Sequence, residues 1–259
     1  MLTPQDLKYY TVCLTNRADR VANVEKSRKV IPQMEIIEAI DGNKMTVDDI
    51  RDWQNKGYLP EDHRLYDHMI MAPLRGRKLK MGEIGAFLSH CKALEAIANG
   101  DAPGGVVFED DAIPLPGFMM NLATILKVLR PHTDFVHLFV SHAHKKFFST
   151  EPRLYTTPNG LHGMVCYFAT KEGAQYALRR MKPQCGAVDE TITRIGLNSF
   201  VVGGIEFVKN VGLMGHATFD SSKTTYAQLA KYAVDVLGVD HGFGEDPEKE
   251  IHEAFSNTI

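Results

Sequence analysis

At 259 residues, 44% of them hydrophobic and 24% charged, the chain is long enough for one sizeable α/β core, with room for a small appendage. Its net charge of −3 excludes the global basic field that nucleic-acid binding needs. It has no apolar run of about 18 residues and no basic start followed by an apolar stretch, so neither a membrane span nor a signal peptide is expected.

In chain order, Lys8 to Leu14 reads as a first strand and Asp19 to Val30 as a charged amphipathic helix. Met34 to Ile40 is a second strand closed by Asp41-Gly42, and Thr46 to Asn55 a short helix capped by Thr46, with Asp48 and Asp49 in its first turn. Lys56 to Lys80 carries few regular signals and reads as an insertion or loop. Met81 to Asn99 returns to helical spacing, with Ile84, Phe87, Leu88, Cys91, Leu94 and Ile97 on one apolar stripe. A strand through Val106 to Phe108, a helix from Gly117 to Leu129 and a strand from Asp134 to Val140 follow. The second half offers strands at Tyr155–Thr157, Met164–Thr170, Ser199–Val202 and Ile205–Val211, with helices at Lys171–Met181 and Ala187–Gly196. Residues 226–259 read as a charged helical appendage. Strands alternating with helices predict an α/β fold: a Rossmann-like, mainly parallel sheet with helices on both faces. Cys13, Cys91, Cys166 and Cys185 form no C-x-x-C pair, and read as reduced thiols of a cytoplasmic protein.

The chemistry concentrates where the third strand ends, in Glu109-Asp110-Asp111. Adjacent acids repel one another and gain nothing from packing. A hard divalent cation would neutralise them, and ligands of open α/β sheets bind beyond the carboxyl ends of strands. Metal plus phosphate is one reading; a solvated acidic turn before Pro114 is the other.

Four segments then resemble glycosyltransferase family 25, the family of lipopolysaccharide and lipooligosaccharide galactosyltransferases and of collagen galactosyltransferases. They are Val12-Cys13-Leu14-Thr15-Asn16-Arg17-Ala18-Asp19-Arg20, Ala39-Ile40-Asp41-Gly42, the run Leu79 to His90 containing G-E-I-G-A-F-L-S-H, and the E-D-D strand. In the first, Cys13 and Asn16 stand where the family pattern has Asn and Arg. The resemblance implies a GT-A type fold in one catalytic domain over residues 1–225, with a nucleotide-sugar half to about residue 115 and an acceptor half beyond it. It implies an inverting transfer of a hexose, most often galactose, from a UDP-sugar, with Mn²⁺ or Mg²⁺ as cofactor. The acceptor would be a glycan, lipid-linked saccharide or glycoprotein hydroxyl, and a lipid-linked acceptor would place the enzyme at a membrane surface.

On that resemblance, Glu109, Asp111 and His216 are the metal candidates, with Glu109 serving alternatively the ribose or a metal-bound water. Asp110 is expected to turn toward the sugar. Leu14, Asn16, Arg20, Asp41, Ser89, His90 and Lys92 are expected around the nucleotide-sugar, Leu14 and Asp41 near uracil. Several have a plainer alternative. Arg20 could pair with Asp19 and Glu25, Asp41 could only form its turn, and Lys92 could be a solvated helix charge. A helix His such as His90 is commonly a structural hydrogen-bonder, and His216 could be an ordinary loop residue. For the general base that an inverting transferase requires, Asp189 is the candidate and Glu190 its rival; the alternative is that Asp189 caps its helix. His142 and His144, an H-x-H after a strand, could bind metal, but are expected instead to line the acceptor cleft or face solvent. A metal-dependent phosphohydrolase built on the acids and histidines, and a non-catalytic nucleotide-sugar or glycan-binding module, are the competing functions; the phosphohydrolase would leave the G-E-I-G-A-F-L-S-H helix unexplained.

Overall fold

The computed structural model describes residues 2–60, 81–139, 153–158 and 163–211. Seven of their strands form one sheet: β1 (Lys8–Cys13), β2 (Glu35–Glu38), β3 (Gly104–Glu109), β5 (Phe135–His137), β6 (Arg153–Thr156), β7 (Cys166–Thr170) and β8 (Ser199–Gly203). Their order across it is β2-β1-β3-β7-β5-β8-β6. β1 is parallel to β2 and β3, and β5 to β8, whereas β7 is antiparallel to β3 and β5 and β6 is antiparallel to β8. Five of the seven strands therefore share one direction, the mainly parallel sheet expected. Two short strands, β4 (Ala112–Pro114) and β9 (Val208–Asn210), pair separately as an antiparallel ribbon.

Alternation within the strands sorts the core into two layers. Tyr10, Val12, Val107, Tyr167, Ala169 and Phe135 face one side, with the helices α3 (Met81–Asn99), α5 (Lys171–Met181) and α6 (Val188–Ile192). Tyr9, Cys13, Val106, Phe108, Cys166, Phe168 and Val136 face the other, with α1 (Ala18–Arg28) and α4 (Phe118–Lys127). Buried apolar residues on both faces of a strand remove the polar alternation of a half-exposed sheet, which is why β3 reads as a continuous hydrophobic run. Helix α3 has the bounds its periodicity predicts, and all six residues of its predicted stripe are buried. Its buried surface is wider than that stripe, taking in Gly85, Ser89, His90, Ala93 and Ala98, because the helix is covered by the sheet and by α5 together. Helix α2 (Val47–Asn55) starts under a reciprocal cap in which Thr46 and Asp49 satisfy each other's backbone N–H.

Two expectations need correction. Ile205–Val211 does not extend the main sheet; its strand pairs with Ala112–Pro114, where Pro114, lacking an N–H, is tolerated in a short edge ribbon. The helix expected over Ala187–Gly196 ends at Ile192, where the Thr193 hydroxyl bonds back to the Asp189 carbonyl at 3.2 Å and Gly196 takes a left-handed φ of +79°. Cys13, Cys91, Cys166 and Cys185 are free thiols; burial raises Cys13 to about 11 and Cys91 to about 12, as for core side chains. Residues 61–80, His142, His144, His216 and the expected appendage lie outside the described residues.

Candidate active site

Two of the motif segments, distant in sequence, lock together through their glycines. A Cβ on Gly85 would lie 2.4 Å from the Ile40 carbonyl oxygen and 2.6 Å from the Gly42 nitrogen, and one on Gly42 would collide with the Met81 carbonyl. Only hydrogen at both positions lets α3 press its backbone onto the Ala39-Ile40-Asp41-Gly42 turn. Ser89 completes the joint: its Oγ accepts the Ile40 N–H at 2.8 Å and donates to the Gly85 carbonyl at 2.6 Å. Lys92, one turn on, donates to the Glu38 carbonyl at the end of β2. Ser89 and Lys92 thus hold the loop that carries Asp41. Asp41 itself accepts the Asn43 N–H at 3.2 Å and lies 3.4 Å from Lys44.

The carboxyl ends of β1 and β3 lie side by side in parallel register, with Val12 opposite Glu109. This brings the turn after β1 against the E-D-D tip. The Leu14 N–H donates to Asp110 Oδ2 at 3.2 Å, and Arg20 Nη1 lies 2.7 Å from Asp110 Oδ1 and 3.0 Å from Asp111 Oδ2. Arg20 is farther from Asp19, at 3.8 Å, and Glu25 is engaged by Arg28 instead. Asn16 is exposed in the same turn. Both Asp110 oxygens are occupied by these partners. Asp111 differs: its Oδ1 is buried and has no hydrogen-bond partner. Part of the repulsion expected among the three acids is therefore relieved internally by Arg20.

Glu109 continues the alternation of β3 onto the α3 face, where its Oε1 lies 3.4 Å from His90 Nε2. The other nitrogen of His90, Nδ1, is 3.2 Å from the Tyr167 hydroxyl on β7. Burial raises the Glu109 carboxyl above the ordinary range, with His90 pulling the other way, and burial likewise raises Asp110 against the Leu14 and Arg20 bonds. A divalent cation placed here would reverse that balance, since the ion becomes the largest local charge. Among the described residues no three His, Cys, Asp or Glu side chains converge in a ready-made cation cage. The donor set nevertheless fits one: Asp111 presents a buried carboxylate oxygen with no donor beside it, and Glu109 is two residues away at the same strand end.

Asp189 and Glu190 open α6, on the same sheet face as Glu109. Asp189 is not the cap: that position belongs to Ala187. Its two carboxylate oxygens accept the Gly163 N–H at 3.0 Å and the Glu190 N–H at 2.9 Å. Its charge is felt by His137 on β5, whose ring is fully buried and whose two nitrogens have no hydrogen-bond partner. Tyr167 and His137 were not among the sequence candidates. A signal for both existed, since a polar side chain inside a hydrophobic strand must find a partner or carry a cost.

No curated protein sequence matches the chain significantly. Among solved structures it is similar to a mannosyltransferase, PcManGT from Pyrobaculum calidifontis, solved in complex with GDP-Man and Mn²⁺. That likeness is at 16% identity, over 96% of this chain and 68% of that one, with a TM-score of 0.39. At that score the neighbour's ligands have no bearing on this chain. The profile described as glycosyltransferase family 25 (LPS biosynthesis protein) matches residues 6–192, a span that holds the β1 turn, the interlocked Gly42 and Gly85, the E-D-D tip and Asp189. The α/β sheet is mainly parallel, and the chain belongs to glycosyltransferase family 25.

Proposed function

We propose that this glycosyltransferase moves a hexose, galactose in the first instance, from a UDP-sugar to a hydroxyl of a glycan or glycoconjugate, with inversion and with Mn²⁺ or Mg²⁺ bound. The observation that carries the reading is Asp111, which keeps one carboxylate oxygen buried and without a partner at the strand end while Arg20 holds the other. Leaving such an oxygen unmet costs on the order of 1–3 kcal/mol. Asp111 and Glu109 would hold the cation, and His216, beyond the described residues, is the third ligand that the family resemblance implies. When bound, a divalent cation supplies Lewis acidity and a template for the diphosphate, offsetting the charge that builds on departing UDP.

The remaining steps fall to side chains. Arg20 neutralises Asp110 and holds Asp111 by Oδ2, leaving its Oδ1 without a hydrogen-bond partner. Ser89 and Lys92 brace the Asp41 turn, and with Leu14 that turn would form the base end of the nucleotide site. Asp189, its carboxylate steadied by two backbone N–H groups, would accept the acceptor's hydroxyl proton as that oxygen attacks the anomeric carbon; Glu190 is the rival for that step. The family's description as LPS biosynthesis supports a saccharide acceptor. No helix among the described residues is long and apolar enough to cross a membrane.

Purified protein incubated with UDP-galactose, Mn²⁺ and a saccharide acceptor should release UDP and extend the acceptor, and excess EDTA should stop it. UDP should raise the melting temperature more with Mn²⁺ than without, and more than GDP does, because a ligand that binds only the folded state stabilises it by mass action. Equal shifts with GDP and UDP would overturn the donor assignment. Hydrolysis of a generic phosphoester would mark a phosphohydrolase instead, and binding without turnover a sugar-nucleotide module.

A further inference from the structure

Tyr167 lies in the centre of β7, fully buried, with its ring stacked on Phe135 at 4.6 Å and 21°. It pairs in register with Val107 on one side and His137 on the other, so sheet and stack together fix where its hydroxyl points. That hydroxyl meets His90 Nδ1 at 3.2 Å, and His90 Nε2 meets Glu109 Oε1 at 3.4 Å. His90 is 1% exposed, so water does not offer its ring an alternative partner.

The chemistry of the three groups sets the direction of the chain. An ionised Glu109 would only accept hydrogen bonds, and Nε2, 3.4 Å from its Oε1, would then carry the proton facing it. A neutral imidazole with Nε2–H presents Nδ1 as a lone pair, and a phenol at neutral pH has a proton to give it. The opposite tautomer would set the Nε2 lone pair against the carboxylate oxygen.

We propose that Tyr167 is a positioning residue: it donates to His90 Nδ1, holds His90 as the Nε2–H tautomer, and through it orients the Glu109 carboxylate at the cation–diphosphate site. The proposal rests on the reading of Glu109 as part of that site. The geometry of the relay can be tested apart from it, in metal-free protein. Outer partners of ligand-orienting side chains are typically worth about 10–100-fold in metal affinity, so a detectable effect is expected from a residue that touches no ligand.

Two measurements test it. Imidazole ¹⁵N NMR of the metal-free protein should report His90 as neutral Nε2–H with Nδ1 accepting; an Nδ1–H tautomer or an imidazolium overturns the relay whatever the enzyme binds. Calorimetric titration of Mn²⁺ into protein saturated with UDP should then show half-saturation raised about tenfold in Tyr167→Phe. In a His90→Leu background, which has neither the donor nor the acceptor and so cuts the relay, the same substitution should change it by less than about twofold. Tyr167→Phe that lowers the melting temperature but leaves Mn²⁺ half-saturation unchanged overturns the positioning role, as do equal effects in the two backgrounds. Wild-type protein that shows the Nε2–H tautomer yet binds no Mn²⁺ with UDP instead overturns the assignment of the site, and the relay's part in it with it.

Discussion

Arg20 Nη1 sits 2.7 Å from Asp110 Oδ1 and 3.0 Å from Asp111 Oδ2, so one guanidinium nitrogen bridges two neighbouring carboxylates at the end of β3. Asp110 and Asp111 are mostly buried and Arg20 is about a quarter exposed, so the contact is stronger than a surface ion pair and weaker than a fully desolvated one. Arg20→Met removes the shared charge and leaves both acids facing each other. Denaturant unfolding of the metal-free variant should show a loss of about 1–3 kcal/mol, partly recovered in saturating Mn²⁺. An unchanged midpoint would mean that the acids need no internal counter-charge.

Asp111→Asn should abolish transfer and leave the circular dichroism spectrum unchanged, because the substitution alters charge at a strand tip and not in the packed core. Full activity of this variant in Mn²⁺, or wild-type activity that survives excess EDTA, would remove the metal from the mechanism.

Asp189→Asn should lower kcat by about 10²-fold or more, the usual contribution of a positioned general base, while UDP-sugar affinity stays nearly constant. Asn retains an oxygen for the Gly163 N–H, so a carboxylate that served only to hold that loop would be largely replaced. Glu190→Gln is the companion variant. Should it be the crippled one, the base is the neighbouring residue; if both variants stay active, the base lies elsewhere.

The joint between α3 and the Asp41 turn makes a prediction about stability. Gly85→Ala places a methyl 2.4 Å from the Ile40 carbonyl oxygen, and both neighbours are backbone, which cannot swing aside. A loss of about 1–3 kcal/mol is expected, the range for overpacking. Ser89→Ala strands the Ile40 N–H and should cost about 1–3 kcal/mol for an unmet donor. Thermal melts of the two variants check both values, and near-wild-type stability for Gly85→Ala would contradict the close approach.

His137 gives the fold a pH dependence. Burial pushes its pKa from 6.5 down to about 4, with Asp189 pulling weakly upward. Between those values the unfolded chain binds a proton that the folded chain refuses, so this contribution to stability falls as pH drops from 6.5 to about 4. The full drop is about 3 kcal/mol, because each tenfold loss of proton affinity on folding corresponds to about 1.36 kcal/mol. His137→Gln, which does not titrate, should flatten the stability–pH curve through that window. A curve of unchanged slope would place the titration in another group.

Local signals in the chain determined a good deal. Apolar spacing from Met81 to Asn99 set the bounds of α3, since a helix that buries one face must repeat its hydrophobes every three to four residues. Thr46 and Asp49 marked the start of α2, and the abrupt change from Phe108 to Glu109-Asp110-Asp111 marked a strand end with chemistry. What these patterns lack is the identity of the partner across space. Periodicity says that β7 is buried, not that it runs antiparallel between β3 and β5. His90 and Tyr167 are 77 residues apart and meet only because β7 takes that place, under α3. Gly42 and Gly85 each read as ordinary turn and helix residues until their backbones are seen to touch. Local chain energetics chose the elements. The pairing of strands, whose hydrogen bonds are alike whichever neighbour supplies them, was decided by how all the buried faces could be covered at once.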